Sequence, residues 1–321
     1  MKKSLTALLC AAALAACGQQ QPADNAASGT TTAASLPAAA AGMVNIDTNR
    51  GPAQVPLKPE RVAVYDWGVL DTLGELGVEV GASTEETSIE YLRDTVAKAK
   101  HVGTLFEPNY EALNEYRPQL IITGARTAKA FDQLSQIAPT IEMTVDNTDA
   151  VASAKQRITA LGTVFGKEAE AKALEEKLDK AFADAKAAAQ GKGKALVIQV
   201  SGGKLSAYGA NSRLGGWLHK DIGVEPVDTA IKEGSHGQPV SFEYIKEKNP
   251  DWLFVLDRTS AIGEKGEAAK DVLNNPLVAE TTAWKKGQVV YIQPAAYLSA
   301  GGARQLINSA KQAQEAFEKA K

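Results

Sequence analysis

Three arginines lie where they could bind an anion. Arg126 and Arg258 each follow a short apolar run, "QLIITGA" and "DWLFVLD", and Arg213 follows the glycine-bearing segment "SAYGANS". In open α/β sheets, ligands bind beyond the carboxyl ends of the strands. Each arginine alone would also suit a helix end or a surface ion pair. Three guanidinium groups around one cleft predict an anionic ligand, because without one they repel each other and stay hydrated.

Two of these arginines belong to an internal repeat. Residues 109–126, "NYEALNEYRPQLIITGAR", align without a gap with residues 241–258, "SFEYIKEKNPDWLFVLDR". The matched positions lie 132 residues apart and include Glu111 with Glu243, Pro118 with Pro250, and Arg126 with Arg258. Each copy predicts a short helix that carries the glutamate, then a strand, then the arginine. We interpret this pattern as a duplication, with one arginine in each of two lobes that face a common cleft.

The surrounding elements predict two α/β lobes with mainly parallel sheets, joined by one long α-helix. Apolar β-rich runs alternate with segments of helical spacing, as in "RVAVYDW" followed by "GVLDTLGELGV". The segment "DAVASAKQRITALGTVFG" predicts a helix that ends at Gly166, and the next 24 residues are almost all strong helix formers. The predicted segments are an N-terminal lobe over residues 43–166, a linking helix over 167–190 and a C-terminal lobe over 191–321.

The first 42 residues have the features of an export signal followed by a tether. Lys2 and Lys3 precede an apolar run, Leu5 to Ala16, that is too short to span a bilayer, so residues 1–16 predict a signal peptide. The sequence Leu-Ala-Ala-Cys at 14–17 resembles a bacterial lipoprotein box, in which Cys17 is acylated. The alternative is a plain signal peptide with a coincidental cysteine. Residues 17–42 have almost no large apolar side chains and predict a lipidated, flexible tether.

Composition excludes several classes of protein. Removal of the signal takes away two of 35 basic residues and none of the 38 acidic ones, which leaves a net charge of −5 and does not favour nucleic acid. No later apolar run approaches the roughly 20 residues of a membrane helix. With Cys10 removed and Cys17 acylated, no thiol remains for a disulfide. The sequence has no GxSxG, P-loop, HExxH or CxxC motif, so we expect no enzyme.

The lipoprotein box, the segment "RVAVYDWGVLDTLGELGVE", the two repeats and the linking helix together resemble a known family. They are similar, over residues 43–321, to the periplasmic substrate-binding lipoproteins of iron-siderophore ABC importers. Within that family, the chain most resembles the ferric-enterobactin, catecholate-siderophore binding proteins. The resemblance implies a helical-backbone binding protein, monomeric and lipid-anchored to a membrane in the periplasm. It would deliver ferric enterobactin, or its linear or hydrolysed derivatives, to an ABC permease, with Fe(III) as part of the ligand and no permanent cofactor.

The resemblance also implies roles for particular residues. Arg126, Arg213 and Arg258 would surround the iron–catecholate centre, while His236, in "EGSHGQPVSFEYI", and Tyr297, in "QPAAYLSAGG", would complete the coordination of iron. These two ligands would be needed for a siderophore with two catecholates, whereas a hexadentate siderophore would need only the arginines. Ferric iron favours oxygen donors and accepts imidazole. The alternatives are a solvated loop histidine and a tyrosine that packs at a helix start.

The same family docks onto permease arginines through two glutamates, one in each lobe. Glu111 and Glu243 match those positions. The alternative is that they are solvated carboxylates on a helix face.

Other assignments remain open from the residues alone. Another anionic metallo-ligand, such as haem, cobalamin or a hydroxamate siderophore, is the main alternative, although the arginines suit an anionic catecholate better than a neutral hydroxamate. A zinc or manganese receptor would need more than the three histidines present. Trp67 and Tyr65 would either line the cleft or belong to the core. We expect His219, in the predicted helix "LGGWLHKDIG", to lie on the surface, and nothing supports a role for His101.

Overall fold

The computed structural model describes residues 41–232, 234 and 236–320. The predicted signal peptide, Cys17 and nearly all of the predicted tether lie outside the described residues. The described chain begins with a hairpin, in which strand β1 (Met43–Thr48) pairs antiparallel with β2 (Gly51–Pro56). The side-chain amide of Asn49 donates to the Thr144 carbonyl, which fastens this hairpin to the body of the protein.

The first sheet has five parallel strands in the order β5-β4-β3-β6-β7. Its strands are β3 (Val62–Val64), β4 (Ala82–Ser83), β5 (Lys100–His101), β6 (Leu120–Thr123) and β7 (Thr140–Glu142). The helices along this stretch are α1 (Trp67–Glu75), α2 (Arg93–Lys98), α3 (Tyr110–Tyr116) and α4 (Phe131–Leu134). Because all five strands are parallel, their carboxyl ends meet at one edge of the sheet, where the loops that lead to the helices lie.

Two long helices follow the first sheet. Helix α5 (Ala150–Phe165) ends at Gly166, whose φ of 60° gives the left-handed C-cap predicted from the sequence. Helix α6 (Glu168–Ala188) has 21 residues, which at 1.5 Å per residue span about 32 Å. It lies within the segment predicted as the linking helix, and the second sheet begins six residues after it.

The second sheet has six strands and mixed direction. Its strands are β8 (Lys194–Ser201), β9 (Lys204–Tyr208), β10 (Glu225–Pro226), β11 (Gln238–Val240), β12 (Trp252–Asp257) and β13 (Val289–Ile292). Strands β10, β8, β12 and β13 pair in parallel, whereas β9 pairs antiparallel with both β8 and β11. The two-residue turn Gly202–Gly203, with both φ angles positive, folds β9 back onto β8 as a tight hairpin. The predicted α/β class with mainly parallel sheets is therefore confirmed.

Seven helices and one π-helical turn accompany the second sheet among the described residues. The turn spans Trp217–Ile222, and the helices are α7 (Phe242–Lys248), α8 (Arg258–Ala261), α9 (Ala269–Val272), α10 (Pro276–Ala279), α11 (Thr282–Lys285), α12 (Ala295–Leu298) and α13 (Ala303–Lys319). No helix of the described residues is long and apolar enough to cross a membrane.

The internal repeat is visible in the structure. Helices α3 and α7 have seven residues each, start and end 132 residues apart, and lead to strands β6 and β12 whose first residues are also 132 apart. Both helices end in a left-handed residue, Arg117 with φ 52° and Asn249 with φ 42°. A proline follows each, and proline disfavours the α conformation of the residue before it, so both helices stop at the same place.

The C-terminal helix α13 takes its N-terminal cap from α1. Its cap position is Gly302, which has no side chain to accept from the free amides. The carboxylate of Asp71 accepts instead from the amides of Arg304, at 2.7 Å, and Gln305, at 3.1 Å. The Thr72 hydroxyl accepts from the amide of Ala303. Helix α13 also packs on α6, so this last element of the chain closes onto both its first helix and the long helix between the two sheets.

Tyr65, Trp67 and His219 are buried. The sequence left Tyr65 and Trp67 as either cleft or core residues and predicted His219 on the surface. The hydroxyl of Tyr65 donates to the Val102 carbonyl, and Trp67 Nε1 donates to the Thr84 hydroxyl, so both aromatic side chains belong to the core. The prediction that His219 lies on the surface is wrong. Its ring is buried with Nδ1 2.8 Å from the Val224 carbonyl oxygen, and burial lowers its pKa. The π-helical turn changes the angular spacing that the surface prediction assumed.

Candidate functional site

Three arginines converge on one tyrosine. Arg126 lies three residues after β6, Arg258 is the first residue after β12, and Tyr297 lies in α12, after β13. The Nε of Arg258 donates to the Tyr297 hydroxyl at 2.9 Å, and the guanidinium of Arg213 lies 4.2 Å from the centre of the tyrosine ring. Arg126 donates to the Tyr297 carbonyl at 3.0 Å. The structure thus brings together four of the five predicted ligand-binding residues, which we refer to as the arginine–tyrosine cluster.

Arg126 connects the first sheet to the segment that follows the second. Its Nη1 donates to the carbonyl of Leu298 at 3.1 Å, while Nη2 donates to that of Tyr297. Burial lowers the pKa of Arg126; nearby Asp66 opposes this shift, and the positive charge of Arg213 reinforces it. A guanidinium that is both buried and beside another cation gains more from an anionic ligand than a solvated one does.

Arg213 stacks on the Tyr297 ring and has an unused hydrogen-bond donor. Its Nε is buried, with no hydrogen-bond partner among the described residues. The turn before it is held by Ser212, whose hydroxyl donates to the Gly209 carbonyl and accepts from the Gly215 amide. Buried donors are nearly always paired in folded proteins. The unpaired Nε of Arg213, beside two other guanidinium groups, is therefore available to bind an acceptor on a ligand.

Arg258 is positioned by the end of the second sheet. Its Nη1 donates to the hydroxyl of Ser201, the last residue of β8, at 3.2 Å. The neighbouring Asp257 caps α8 by accepting from the Ser260 amide, and it also accepts from the amide of Ala269. Two strands and a helix cap therefore fix the guanidinium that touches the Tyr297 hydroxyl.

The electrostatics of the cluster favour the ionised form of Tyr297. Burial alone raises the pKa of this phenol. The hydrogen bond from Arg258 and the charges of Arg213, Arg258 and Arg126 outweigh burial, so the net shift is downward. A phenolate oxygen is a hard, anionic donor of the kind that suits a highly charged cation. The cluster can therefore present guanidinium groups to an anion and a phenolate to a metal ion.

This arrangement predicts the titration of Tyr297. We expect its phenolate to form below the usual tyrosine pKa of about 10, and the Arg258→Gln substitution to raise that pKa, because it removes both a hydrogen bond and a charge. Ultraviolet difference absorbance during a pH titration measures the transition, and subtraction of the Tyr297→Phe titration assigns it. Arg93→Gln, which removes an exposed arginine elsewhere, is the control. Identical titrations for the wild type and Arg258→Gln would contradict the proposed stabilisation.

Two residues that the sequence did not identify, Tyr208 and Asp66, also belong to the site. Tyr208, at the end of β9, is buried, and its hydroxyl donates to Gln199 at 3.2 Å. Burial raises the Tyr208 pKa, and the nearby charges of Arg213 and Arg258 oppose the shift. Asp66 caps α1 and has a carboxylate oxygen 3.7 Å from Nη1 of the buried Arg157. The sequence features that could have identified them are a tyrosine, Tyr208, shortly before Arg213 and an aspartate, Asp66, directly before a helical run.

His236 borders the cluster without touching it. Its side chain is exposed, in a turn where the Gly237 amide donates to the Gly234 carbonyl. Strand β11 begins two residues later and pairs Gln238 with Ala207, which brings the turn against Tyr208. The approach is so close that a Cβ at Gly237 would lie 2.7 Å from the Tyr208 ring. Among the described residues, His236 forms no hydrogen bond with the arginine–tyrosine cluster.

The two repeat glutamates occupy matching places. Glu111 and Glu243 are exposed, and each lies in the first turn of its helix, α3 or α7. The capping residues Asn109 and Ser241 each accept from the amide three residues further on. The helix orientation that presents each glutamate is therefore set by the same local cap.

Other parts of the described chain offer less. A cavity of about 570 Å³ lies beside β1 and α5, but neutral polar side chains such as Thr144, Ser153 and Gln156 make up much of its lining. Within residues 41–320 as described, no group of three or more His, Cys, Asp or Glu side chains could hold a metal ion.

Known proteins resemble this chain over most of its length. The profile of a family described as periplasmic binding protein matches residues 62–296. The petrobactin-binding protein YclQ of Bacillus subtilis is 39% identical over 271 residues, which cover 83% of this chain and 85% of that protein. The ferric-anguibactin-binding protein FatB of Vibrio anguillarum is 30% identical over 78% of this chain and 80% of its own.

Solved structures agree with the sequence comparison. The crystal structure of YclQ superimposes with a TM-score of 0.83 at 37% identity and covers 86% of this chain and 99% of that one. The periplasmic catecholate-siderophore binding protein VctP of Vibrio cholerae superimposes with a TM-score of 0.78 at 34% identity, and covers 84% and 99% of the two chains.

Proposed function

Because the chain belongs to the periplasmic binding protein family, we propose that it is the receptor of an ABC importer for ferric siderophores of the catecholate class. The ligand is ferric enterobactin or one of its linear or hydrolysed derivatives. It binds at the arginine–tyrosine cluster and passes to the permease without chemical change. Fe(III) is cargo and arrives within the ligand.

The convergence of three arginines on Tyr297 carries this proposal. A ferric complex of catecholates has a net negative charge, because dianionic catecholates outweigh one trivalent cation. Guanidinium groups donate several N–H bonds in a fixed geometry and suit a cluster of anionic oxygens. The unpaired Nε of Arg213 adds a buried donor. A neutral hydroxamate complex would leave these charges uncompensated, so the cluster favours an anionic ligand.

Tyr297 and His236 extend the range of ligands. A hexadentate siderophore fills all six positions on iron and needs only the arginines. A tetradentate siderophore leaves two positions, which the Tyr297 phenolate and the His236 imidazole would fill. The lowered pKa of Tyr297 supports the first of these ligands. The exposed position of His236, on a turn that borders the cluster, supports a ligand that swings in when the siderophore leaves room.

The relatives support the ligand class. Their names specify petrobactin for YclQ, ferric anguibactin for FatB and a catecholate siderophore for VctP. We propose the catecholate class for this chain, because the VctP likeness spans 84% of its length and the arginine–tyrosine cluster suits an anionic aryl chelate. We further propose that Cys17 is lipidated and holds the protein at a membrane in the periplasm.

A binding titration tests the proposed function. Fluorescence quenching of the purified protein is measured with ferric enterobactin, a tetradentate ferric bis-catecholate and a ferric hydroxamate. We expect tight, stoichiometric binding of both catecholates and much weaker binding of the hydroxamate, with each chelate recovered unchanged. Preference for the hydroxamate, or turnover of a chelate, would contradict the proposal.

Glu111 and Glu243 are proposed to dock onto the permease, one from each repeat. Reversal of both to lysine is expected to abolish uptake of radiolabelled ferric enterobactin by cells and to leave its affinity for the purified protein unchanged. Both side chains are exposed at helix starts and lie outside the cluster, so their reversal should affect transport without affecting siderophore binding. Glu247→Lys, an exposed glutamate on α7, is the control. Normal uptake by the double variant would rule out docking through these residues.

A further inference from the structure

Phe106 is an apolar side chain that lies largely exposed. It is 67% exposed, more than any other large hydrophobic residue in the part of the chain that the structure describes. It lies in the loop between β5 and α3, at the edge of the first sheet where the strands have their carboxyl ends. The exposed ring is therefore on the same edge as Arg126.

The loop also brings Phe106 near Arg126. Strand β5 lies at the border of the sheet, three strand positions from β6, or about 14 Å at roughly 4.8 Å per strand. The loop nevertheless crosses that distance. This is shown by a hydrogen bond in which the hydroxyl of Thr127 donates to the Leu105 carbonyl at 2.6 Å. Thr127 follows Arg126 directly, and Phe106 follows Leu105. The two side chains thus start from backbone segments that a hydrogen bond joins.

Hydrogen bonds hold the backbone of the loop around Phe106. The hydroxyl of Thr104 accepts from the amides of Phe106, at 3.2 Å, and Glu107, at 3.0 Å. The Thr104 amide donates to the Glu107 carbonyl at 2.9 Å, and the Asn109 amide donates to that of Val102 at 2.8 Å. Four hydrogen bonds therefore fix the backbone from which the exposed phenylalanine side chain projects.

The internal repeat relates this loop to the one that carries His236. Counted back from the capping residues Asn109 and Ser241, Thr104 corresponds to His236 and Phe106 to Gln238, each 132 residues apart. The His236 loop lies against Tyr208 in the second sheet, and the Phe106 loop lies against Thr127 beside the first. Equivalent loops therefore flank the arginine–tyrosine cluster from the two sheets.

We propose that Phe106 is a specificity-determining residue of the siderophore site, where its ring packs against a catecholate ring of the bound ferric complex. This role rests on the proposed function and adds to it. The arginines recognise charge, which other anionic iron chelates also carry. An aromatic ring recognises the aryl group itself, because aromatic pairs in edge or offset contact add to the free energy of burial.

Four variants of the full-length protein test this role, with ferric enterobactin as the probe. We expect Phe106→Ala to weaken binding about tenfold, Phe106→Leu to weaken it several-fold, and Phe106→Tyr to keep the affinity of the wild type. Leu57→Ala, which removes another exposed apolar side chain, is the control and should bind normally. All of them should melt within a few degrees of the wild type without ligand, since the ring contributes little to the core.

The outcomes separate this inference from the proposed function. Tight binding by the wild type together with unchanged binding by Phe106→Ala, or full retention by Phe106→Leu, would overturn the aromatic contact alone. Normal binding by Phe106→Ala with impaired uptake would also overturn it, in favour of a permease contact. No binding of ferric enterobactin by the wild type would overturn both proposals.

Discussion

Replacement of Arg126, Arg213 and Arg258 by glutamine in one variant should weaken binding of ferric enterobactin by about a thousandfold or more. Hydrogen bonds to charged groups contribute about 1.5–3 kcal/mol each, and 1.4 kcal/mol corresponds to a factor of ten in affinity. Three such losses, taken as additive, give about three orders of magnitude or more. Fluorescence titration of the purified variant measures the change.

The fold should survive this triple substitution. The three guanidinium groups repel each other, and their removal relieves that repulsion, while glutamine keeps a side-chain donor near the carbonyls of Tyr297 and Leu298. We therefore expect a thermal midpoint close to that of the wild type in the absence of ligand. Arg93→Gln changes the net charge at an exposed position and should bind normally. Near-normal affinity of the triple variant would exclude charge recognition at this site.

Removal of the two proposed iron ligands should act differently on different siderophores. With a tetradentate ferric bis-catecholate, His236→Ala and Tyr297→Phe should each shift the charge-transfer band of the bound complex, because each opens a position on iron to water. With ferric enterobactin, which fills all six positions, the band should stay nearly unchanged. Visible absorbance of the complexes, recorded with both ligands for each variant, provides the comparison.

Tyr297→Phe is the sharper of these two variants. It keeps the ring on which Arg213 stacks and removes only the hydroxyl that accepts from Arg258. A shift that occurs equally with both siderophores would indicate a change in the arginines rather than loss of a ligand. The absence of a shift with the tetradentate complex would exclude iron coordination by Tyr297. Tyr291→Phe, which removes the hydroxyl of an exposed tyrosine on β13, is the control and should leave the band in place.

The pair of repeat arginines could be predicted because local sequence determines most of their setting. Matched caps at Asn109 and Ser241, and left-handed ends before Pro118 and Pro250, depend on neighbours in the chain. Such signals repeat whenever a segment is duplicated. The convergence of these arginines on one tyrosine could only be expected from the family resemblance, since Arg126 and Tyr297 are 171 residues apart in the sequence.

The remaining site residues depend on tertiary contacts that leave no local pattern. Asp66 is an ordinary helix cap by sequence, and its proximity to Arg157 arises only after α5 packs beside the first sheet. Tyr208 reaches the cluster because β9 folds back antiparallel onto β8 at Gly202–Gly203. His219 was misplaced because the surface prediction assumed regular α-helical spacing, whereas the chain forms a π-helical turn.

The cap of α13 also determines the order in which the chain can complete its fold. The strands of the first sheet come from one continuous stretch, so they can pair while the rest of the polypeptide is still being synthesised. The side-chain oxygens of Asp71 and Thr72 can form their hydrogen bonds only after synthesis of the amides 231 to 234 residues further along the chain. Contacts of such long sequence separation form late. A chain that stops before Ala303 would lack both these amide donors and the helix that covers α1 and α6, and we expect proteases to cleave such an incompletely folded chain.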